Sequence, residues 1–321
     1  MLGDQSAPSL LVADVGGTNT RAALARGEYL RVDTISRFSN RDYGSLEELL
    51  IEYVDQHRPE DLSGAAVAVA GPVQDGRSEL TNVDWSIEKA TLAKVTGASR
   101  VAVLNDLQAQ GYAVSHLDNT QLRTVVSGSK NPAPLTCLVV GVGTGFNASP
   151  VHRAASGMHV PPSEAGHANL PLACDGDLDL WRFIKAENGF PAVEDVLSGH
   201  GLENVYRWCR QGTGETGHQS AAQIVAACES GEDQAAIDAV NVFVRILGTA
   251  CGNLSLIHMP FGGVFLVGGV TRAIAPMLAS NGFAEAFRNK GRFADFMENF
   301  TVRVVEDDYA ALHGLAAFLE T

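Results

Sequence analysis

No C-x-x-C pair occurs among the five cysteines, Cys137, Cys174, Cys209, Cys228 and Cys251. This argues against a zinc ribbon, a redox motif or a disulfide framework, and makes a reducing cytoplasm the simplest compartment. Basic residues are scarce as well: 23 Lys and Arg stand against 37 Asp and Glu, a formal net charge of −14. Such a chain offers nucleic acid or an anionic membrane no basic footprint, so any bound phosphate has to be held by local geometry. The opening MLGDQSAPS is polar, and the apolar run behind it, residues 10–13, is far shorter than a signal-peptide core or a membrane span of about 20 residues. Export is therefore not expected. Charged residues make up 19% of the sequence and apolar residues 45%, the balance of a compact globular protein. At roughly 150 residues per domain, the 321 residues make about two domains. No internal repeat, linker or charge block breaks the chain, and with so short a segment before the first strand a DNA-binding module is not expected.

Residues 10–13 read as a buried strand, Asp14 and Gly16-Gly17-Thr18-Asn19 as its turn, and residues 21–24 as the returning strand. A third strand over about residues 30–38 leads to a helix opening at Ser45, with Glu48 in the capping-box position. Next come a strand at 65–70 stopped by Gly71-Pro72, a helix near 87–95, and a strand at 101–104 ended by Asn105-Asp106, giving the order βββαβαβ. A second unit begins with a strand at 136–140 that feeds Gly141-Val142-Gly143-Thr144-Gly145. This Gly/Thr turn behind an apolar strand echoes the first hairpin and points to two related halves. Helices near 178–187 and 194–210, a surface loop at 212–217 and a helical segment at 235–258 follow. A buried strand at 263–267 then ends in Gly268-Gly269, before a last strand at about 301–305 and a helix at 310–319 that could pack on either unit.

Three glycine turns thus follow short apolar strands. Glycine lets backbone N–H groups cradle phosphate oxygens, and Thr adds a hydroxyl; each turn taken alone reads equally as a hairpin tip. Neither G-x-x-x-x-G-K-[ST] nor G-x-G-x-x-G is present. Asp14 beside a phosphate turn implies an intervening magnesium ion, or else an Asx-type bond that only stabilises the turn. Asp106 ends a strand where open α/β sheets present ligands, and it reads either as the base that phosphoryl transfer requires or as a helix N-cap. Glu164 and His167 lack an evident third metal ligand and suit a polyhydroxylated ligand better than zinc. Glu194 is a further such contact, or a first-turn acid favoured by the helix dipole.

Asp14-Val15-Gly16-Gly17-Thr18-Asn19, Leu104-Asn105-Asp106, Gly143-Thr144-Gly145, Glu164-x-Gly166-His167, Glu194-x-Val196-Leu197-Ser198-Gly199 and residues 262–269 stand in the order found in bacterial glucokinases. The chain resembles that family, of the actin/hexokinase/Hsp70 ATPase superfamily, from end to end, including Lys290-Gly291-Arg292-Phe293 and the final helix. The resemblance implies transfer of phosphate from ATP, with magnesium, to the 6-hydroxyl of D-glucose. It makes Asp106 the base, Asn105 a ligand of neighbouring hydroxyls, and Glu164, His167 and Glu194 the holders of the anomeric end. Asp14 then acts on the magnesium–phosphate side, and Gly16, Gly17, Thr18 and Asn19 line the phosphates. Gly143, Thr144 and Gly145 form the second phosphate turn, with Gly268 and Gly269 near the adenosine. The implied fold is two α/β lobes with a cleft between them, the last helix returning to the first lobe; the division expected is 1–115 with 302–321 against 116–301. Homodimers are common in the family.

The related repressor/ORF/kinase proteins share E-x-G-H but carry a cysteine-rich zinc motif. Here Ala168-Asn169-Leu170 follows His167, with Cys174 alone, which assigns the chain to the zinc-free glucokinases. Two departures flank the expected site: Phe146-Asn147 stands where the family usually has a small apolar residue and glycine, and Pro162-Ser163 where Pro-Gly is usual. They bear on the strictness of glucose preference. A kinase for a related hexose or amino sugar, a sugar-independent ATPase and a non-catalytic sugar sensor are the alternatives on the same scaffold.

Overall fold

The computed structural model describes residues 8–80, 83–129, 136–155, 157–211 and 217–321; all but the last residue of the loop expected at 212–217 lies outside them. In chain order the strands are β1 (Ser9–Val15), β2 (Asn19–Arg26), β3 (Tyr29–Leu30), β4 (Ser36–Ser39), β5 (Leu62–Val69), β6 (Arg77–Leu80), β7 (Trp85–Glu88), β8 (Arg100–Asn105), β9 (Leu122–Val126), β10 (Thr136–Val142), β11 (Phe146–Ala154), β12 (Gly157–His159), β13 (Val264–Val267) and β14 (Val302–Val305). The helices are α1 (Leu46–His57), α2 (Lys89–Thr96), α3 (Asp106–Ala113), α4 (Asp175–Asn188), α5 (Gly199–Cys209), α6 (Ala221–Ser230), α7 (Gln234–His258), α8 (Gly269–Leu278), α9 (Phe283–Arg288) and α10 (Ala310–Glu320).

Two compact units divide the chain: Met1–Asp118 with Ala154–Pro162 and Asp307–Thr321, and Asn119–Arg153 with Ser163–Glu306. The division differs from the expected one at three places, the first being the boundary after residue 118 instead of 115. β14 pairs with β13 and β9 and so stays in the second unit, and the segment bearing β12 goes with the first.

The first unit's sheet runs β3-β2-β1-β5-β8, with β4 also on β2. β1 is antiparallel to β2 and parallel to β5, and β5 is parallel to β8. In the second unit the order β11-β10-β13-β14-β9 repeats this plan: β10 is antiparallel to β11 and parallel to β13, which is parallel to β14. The glycine-turn echo in the sequence thus corresponds to a repeated sheet.

Residues 10–13 are all at most 1% exposed, as in a strand covered on both faces. On one face Leu46, Leu49, Leu50 and Tyr53 of α1 join Leu11, Ala13 and Val15. α10 packs on β1, β5 and α3, which settles its placement in the first unit. Gly314 permits that approach, because a Cβ there would collide with the Ala109 carbonyl. At the start of α1, Ser45 accepts from Glu48 N at 3.2 Å, while the Glu48 carboxylate reaches one residue further back, to Gly44 N at 2.7 Å.

Several expected bounds change. The strand expected at 30–38 breaks into β3, a 3-10 turn and β4, because the buried Thr34 hydroxyl takes Leu24 N at 3.0 Å and donates to Arg31 O at 2.6 Å. Ile87 belongs to the β6–β7 hairpin, so α2 opens only at Lys89. α5 begins at Gly199, not Glu194, since Ser198 caps it by accepting from Gly201 N at 2.8 Å.

α7, 25 residues long, is apolar enough to cross a membrane by length and composition, but Ala236, Val240, Phe243 and Leu247 lie fully buried in the second unit's core beside Leu138, Val140 and Leu266. It is a core helix. It also carries Arg245, whose guanidinium makes two bonds, of 2.5 and 3.0 Å, to the buried Asp177 at the start of α4. Burial works against the Asp177 charge, yet Arg245 and the Ala173 and Cys174 amides together hold its carboxyl below the ordinary carboxylate value. Arg245→Ala strands that carboxylate and is expected to cost about 3 kcal/mol, the low end for a broken buried pair because Arg245 itself is partly exposed. Chemical denaturation checks this at neutral pH. The pair's stabilisation is present above the unfolded carboxyl value and lost as pH falls through the lowered folded one, so wild type and variant should converge in acid.

Candidate active site

In the first unit the Gly16–Asn19 turn links β1 to β2, with Gly16 N donating to Asn19 O at 3.0 Å. What pins it is Asn40, 1% exposed and unsuspected from the sequence. Its Nδ2 donates to Gly16 O at 2.7 Å, its backbone N to Thr18 O at 2.9 Å, and its Oδ1 accepts from the Thr20 hydroxyl at 2.8 Å. Thr18 is left exposed at the tip. Asp14 faces its cross-strand partner Arg21, with 3.8 Å between charges, and Arg21 also donates to Asp308 O at 3.2 Å. Burial pushes the Asp14 carboxyl above the ordinary range, and Arg21 offsets part of this. A divalent cation would favour the charged form further. Among the described residues no three His, Cys, Asp or Glu side chains cluster as a metal cage. Magnesium needs none, since it is commonly held by one or two carboxylates together with substrate phosphates; a partly buried Asp14 beside the Gly16–Asn19 turn fits that arrangement.

The other candidates of this unit stand where β8 runs into α3. The helix cap is Asn105, not Asp106: Asn105 Oδ1 accepts from Leu107 N at 2.9 Å, and its own N donates to Gln108 Oε1 at 3.2 Å. Asn105 Nδ2 donates to Gly71 O at 2.9 Å. An amide has two donors and two lone pairs, so capacity remains for a hydroxyl. Asp106 is the first residue of α3, and its Oδ1 shares the Leu107 N–H with Asn105, at 2.8 Å. Its carboxylate sits at the positive end of the helix dipole.

The second unit gathers the remaining candidates. Gly143 N donates to Gly145 O at 2.9 Å, and Gly199 N at the start of α5 donates to Gly143 O at 2.8 Å. Thr144 is exposed at the tip. Gly268 has φ +105° and a Cβ there would collide with the Val142 carbonyl, so only glycine lets α8 open against the end of β10. Two helix N-termini therefore adjoin the turn, a setting that favours anions. Glu194, five residues ahead of α5, is not a first-turn acid. Its Oε2 accepts from Phe146 N at 2.8 Å and its N donates to Gly166 O at 2.9 Å. Gly145 and Gly166 have no Cβ because the Glu194 carboxylate and the Phe146 carbonyl occupy that space. Glu164 and His167 bracket a 3-10 turn, Glu164 Oε2 and His167 Nε2 4.0 Å apart and both side chains more than half exposed. Asn147 bonds to both sides of Glu164, through Ser163 O and Ala165 N.

This repeated sheet, with its glycine turns at the strand ends, is the two-lobed actin-like α/β fold of the sugar kinases. A profile described as Glucokinase matches residues 11–321, and the chain belongs to the glucokinase family. It is 32% identical to a glucokinase of Sinorhizobium medicae (strain WSM419), over 99% of this chain and 94% of the relative. Among solved structures it is similar to the glucokinase from an Antarctic psychrotroph, with TM-score 0.86, 31% identity, and 97% and 98% of the two chains covered. In fold it also matches the glucokinase from Balamuthia mandrillaris in complex with glucose, with TM-score 0.82, 20% identity, and 99% and 95% covered.

Gly145→Ala is expected to lift the Glu194 carboxylate off Phe146 N and lower stability by about 1–3 kcal/mol, the usual cost of overpacking. Gly143→Ala, which meets nothing within 4 Å, should cost less. Thermal unfolding of the two variants side by side checks the difference.

Proposed function

We propose that this sugar-kinase-family chain transfers the terminal phosphoryl group of ATP to the 6-hydroxyl of D-glucose. The observation that carries the reading is the β8–α3 junction, where Asn105 is the N-cap and Asp106 follows it as the first residue of the helix, at the carboxyl end of β8. Asp106 takes the proton from the 6-hydroxyl as that oxygen attacks phosphorus, and Asn105 binds a neighbouring hydroxyl. Glu164, His167 and Glu194 hold the anomeric end of the ring. Gly16, Gly17, Thr18 and Asn19, with Gly143, Thr144 and Gly145, line the phosphates: the Gly16 and Gly143 amides close the two turns, and the exposed tips at Thr18 and Thr144 offer backbone N–H and hydroxyl groups to phosphate oxygens, while Gly268 and Gly269 lie toward the adenosine. Magnesium, held on the Asp14 side, supplies charge neutralisation at those oxygens. All five cysteines are free, in keeping with work in a reducing cytoplasm. A related hexose or amino sugar as substrate is the second reading, favoured by Asn147 and Ser163 beside the sugar loop.

Asp106→Asn is expected to lower kcat by about 10²–10⁴-fold, with sugar KM nearly unchanged; a fully active Asn variant would end the assignment. Glu164→Ala and His167→Ala should each raise sugar KM by about tenfold, as a site built to pair hydroxyls loses affinity when partners go missing. Coupled ADP production across a hexose panel reads both. ADP release at full rate without sugar would make the chain an ATPase instead.

A further inference from the structure

The two departures from the family pattern, Asn147 and Ser163, meet each other. Asn147 stands on β11, and its Nδ2 donates to the carbonyl of Ser163. Its Oδ1 accepts from Ala165 N at 3.0 Å and from Ala148 N at 2.8 Å. A carbonyl can only accept and a backbone N–H can only donate, so these three partners leave the amide a single orientation. Ser163 and Ala165 are the neighbours of Glu164, whose backbone, at φ −131° and ψ 51°, is neither helical nor extended. One amide therefore clamps both sides of an irregular residue. Glu164 has little else to steer it: its side chain is 54% exposed and the imidazole of His167 stands 4.0 Å away. The direction of its carboxylate follows from the turn that carries it. On the far side the same turn is tied by Glu194 N to Gly166 O at 2.9 Å, so release of the Asn147 clamp frees the Glu164 end alone.

We infer that Asn147 is a positioning residue that aims Glu164 at the sugar and thereby helps set which hydroxyl pattern is accepted at the anomeric end of the ring. The inference rests on the reading of Glu164 as a sugar ligand. Neither bond requires Asn147 to touch substrate.

Asn147→Ala removes the clamp and is expected to raise glucose KM by about tenfold, the effect of one misdirected charge-assisted contact, with kcat and ATP KM within about twofold. The preference in kcat/KM for glucose over its 2-epimer and its 2-amino analogue should fall by a similar factor. Asn147→Asp keeps the side-chain size and the acceptor but sets an oxygen against the Ser163 carbonyl, so it should behave like the Ala variant; it also carries the same readout if the Ala variant does not fold. Glu164→Gln and the double variant are measured alongside. A double variant no worse than Glu164→Gln supports the inference, because residues acting through one another are not additive. A raised sugar KM in Glu164→Gln with none in Asn147→Ala overturns it and leaves the reading of Glu164 intact. Unchanged sugar KM in both overturns the reading of Glu164, and the inference with it. A matching rise in ATP KM or fall in kcat for Asn147→Ala marks a general structural role and also overturns the inference.

Discussion

Each unit is organised by one strand with partners of opposite sense. β1 runs antiparallel to β2 and parallel to β5, and β10 does the same with β11 and β13. An antiparallel partner can follow through a tight turn, whereas a parallel one needs a crossover. The glycine turn must therefore emerge at the carboxyl end of the central strand, where the parallel neighbours also end. That is where α/β sheets present ligands, and it is why Gly16–Asn19, Asn105-Asp106, Gly143–Gly145 and Gly268-Gly269 all sit at carboxyl strand ends. Burial of these strands on both faces rests on helices returning from far along the chain, α10 above all.

The turns themselves are held by single side chains reaching across sequence. Asn40 grips Gly16–Thr18, the Glu194 carboxylate grips Phe146 behind Gly145, and Asn147 grips the residues on either side of Glu164. In each case a buried or half-buried amide or carboxylate satisfies backbone groups that irregular turns leave without ladder partners. The glycines are as much a consequence of this stapling as of ligand approach. At Gly145 and Gly166 the space a Cβ would take is already filled by Glu194 and Phe146. The titratable candidates of the two units differ in setting. Asp14 is strained toward its neutral form by burial and relieved in part by Arg21, while Glu164 and His167 stand in solvent.

Local sequence rules were reliable where one residue's chemistry dominates. Ser45 opens α1, Gly71-Pro72 ends β5, and the alternation of apolar strand and glycine turn marks both hairpins. They failed where a distant partner competes. Thr34 replaces a ladder bond with its hydroxyl and breaks the expected third strand; Ile87 is drawn into a hairpin with Ser78. Glu194 looks like the first turn of a helix in sequence, but its backbone and side chain are both committed to residues 20–50 positions away, and α5 waits for Ser198.

The amino-acid sequence by itself determined the class of fold, the order of the units, the glycine turns and the choice of candidate site residues, because those depend on residue type, short-range spacing and the order of motifs. Only the tertiary structure decided that Asn105 rather than Asp106 is the N-cap of α3 and that Asn40 and Asn147 hold the turns. Hydrogen bonds between residues far apart in the chain leave no periodic trace in it. Their partners become neighbours only once the apolar strands have packed.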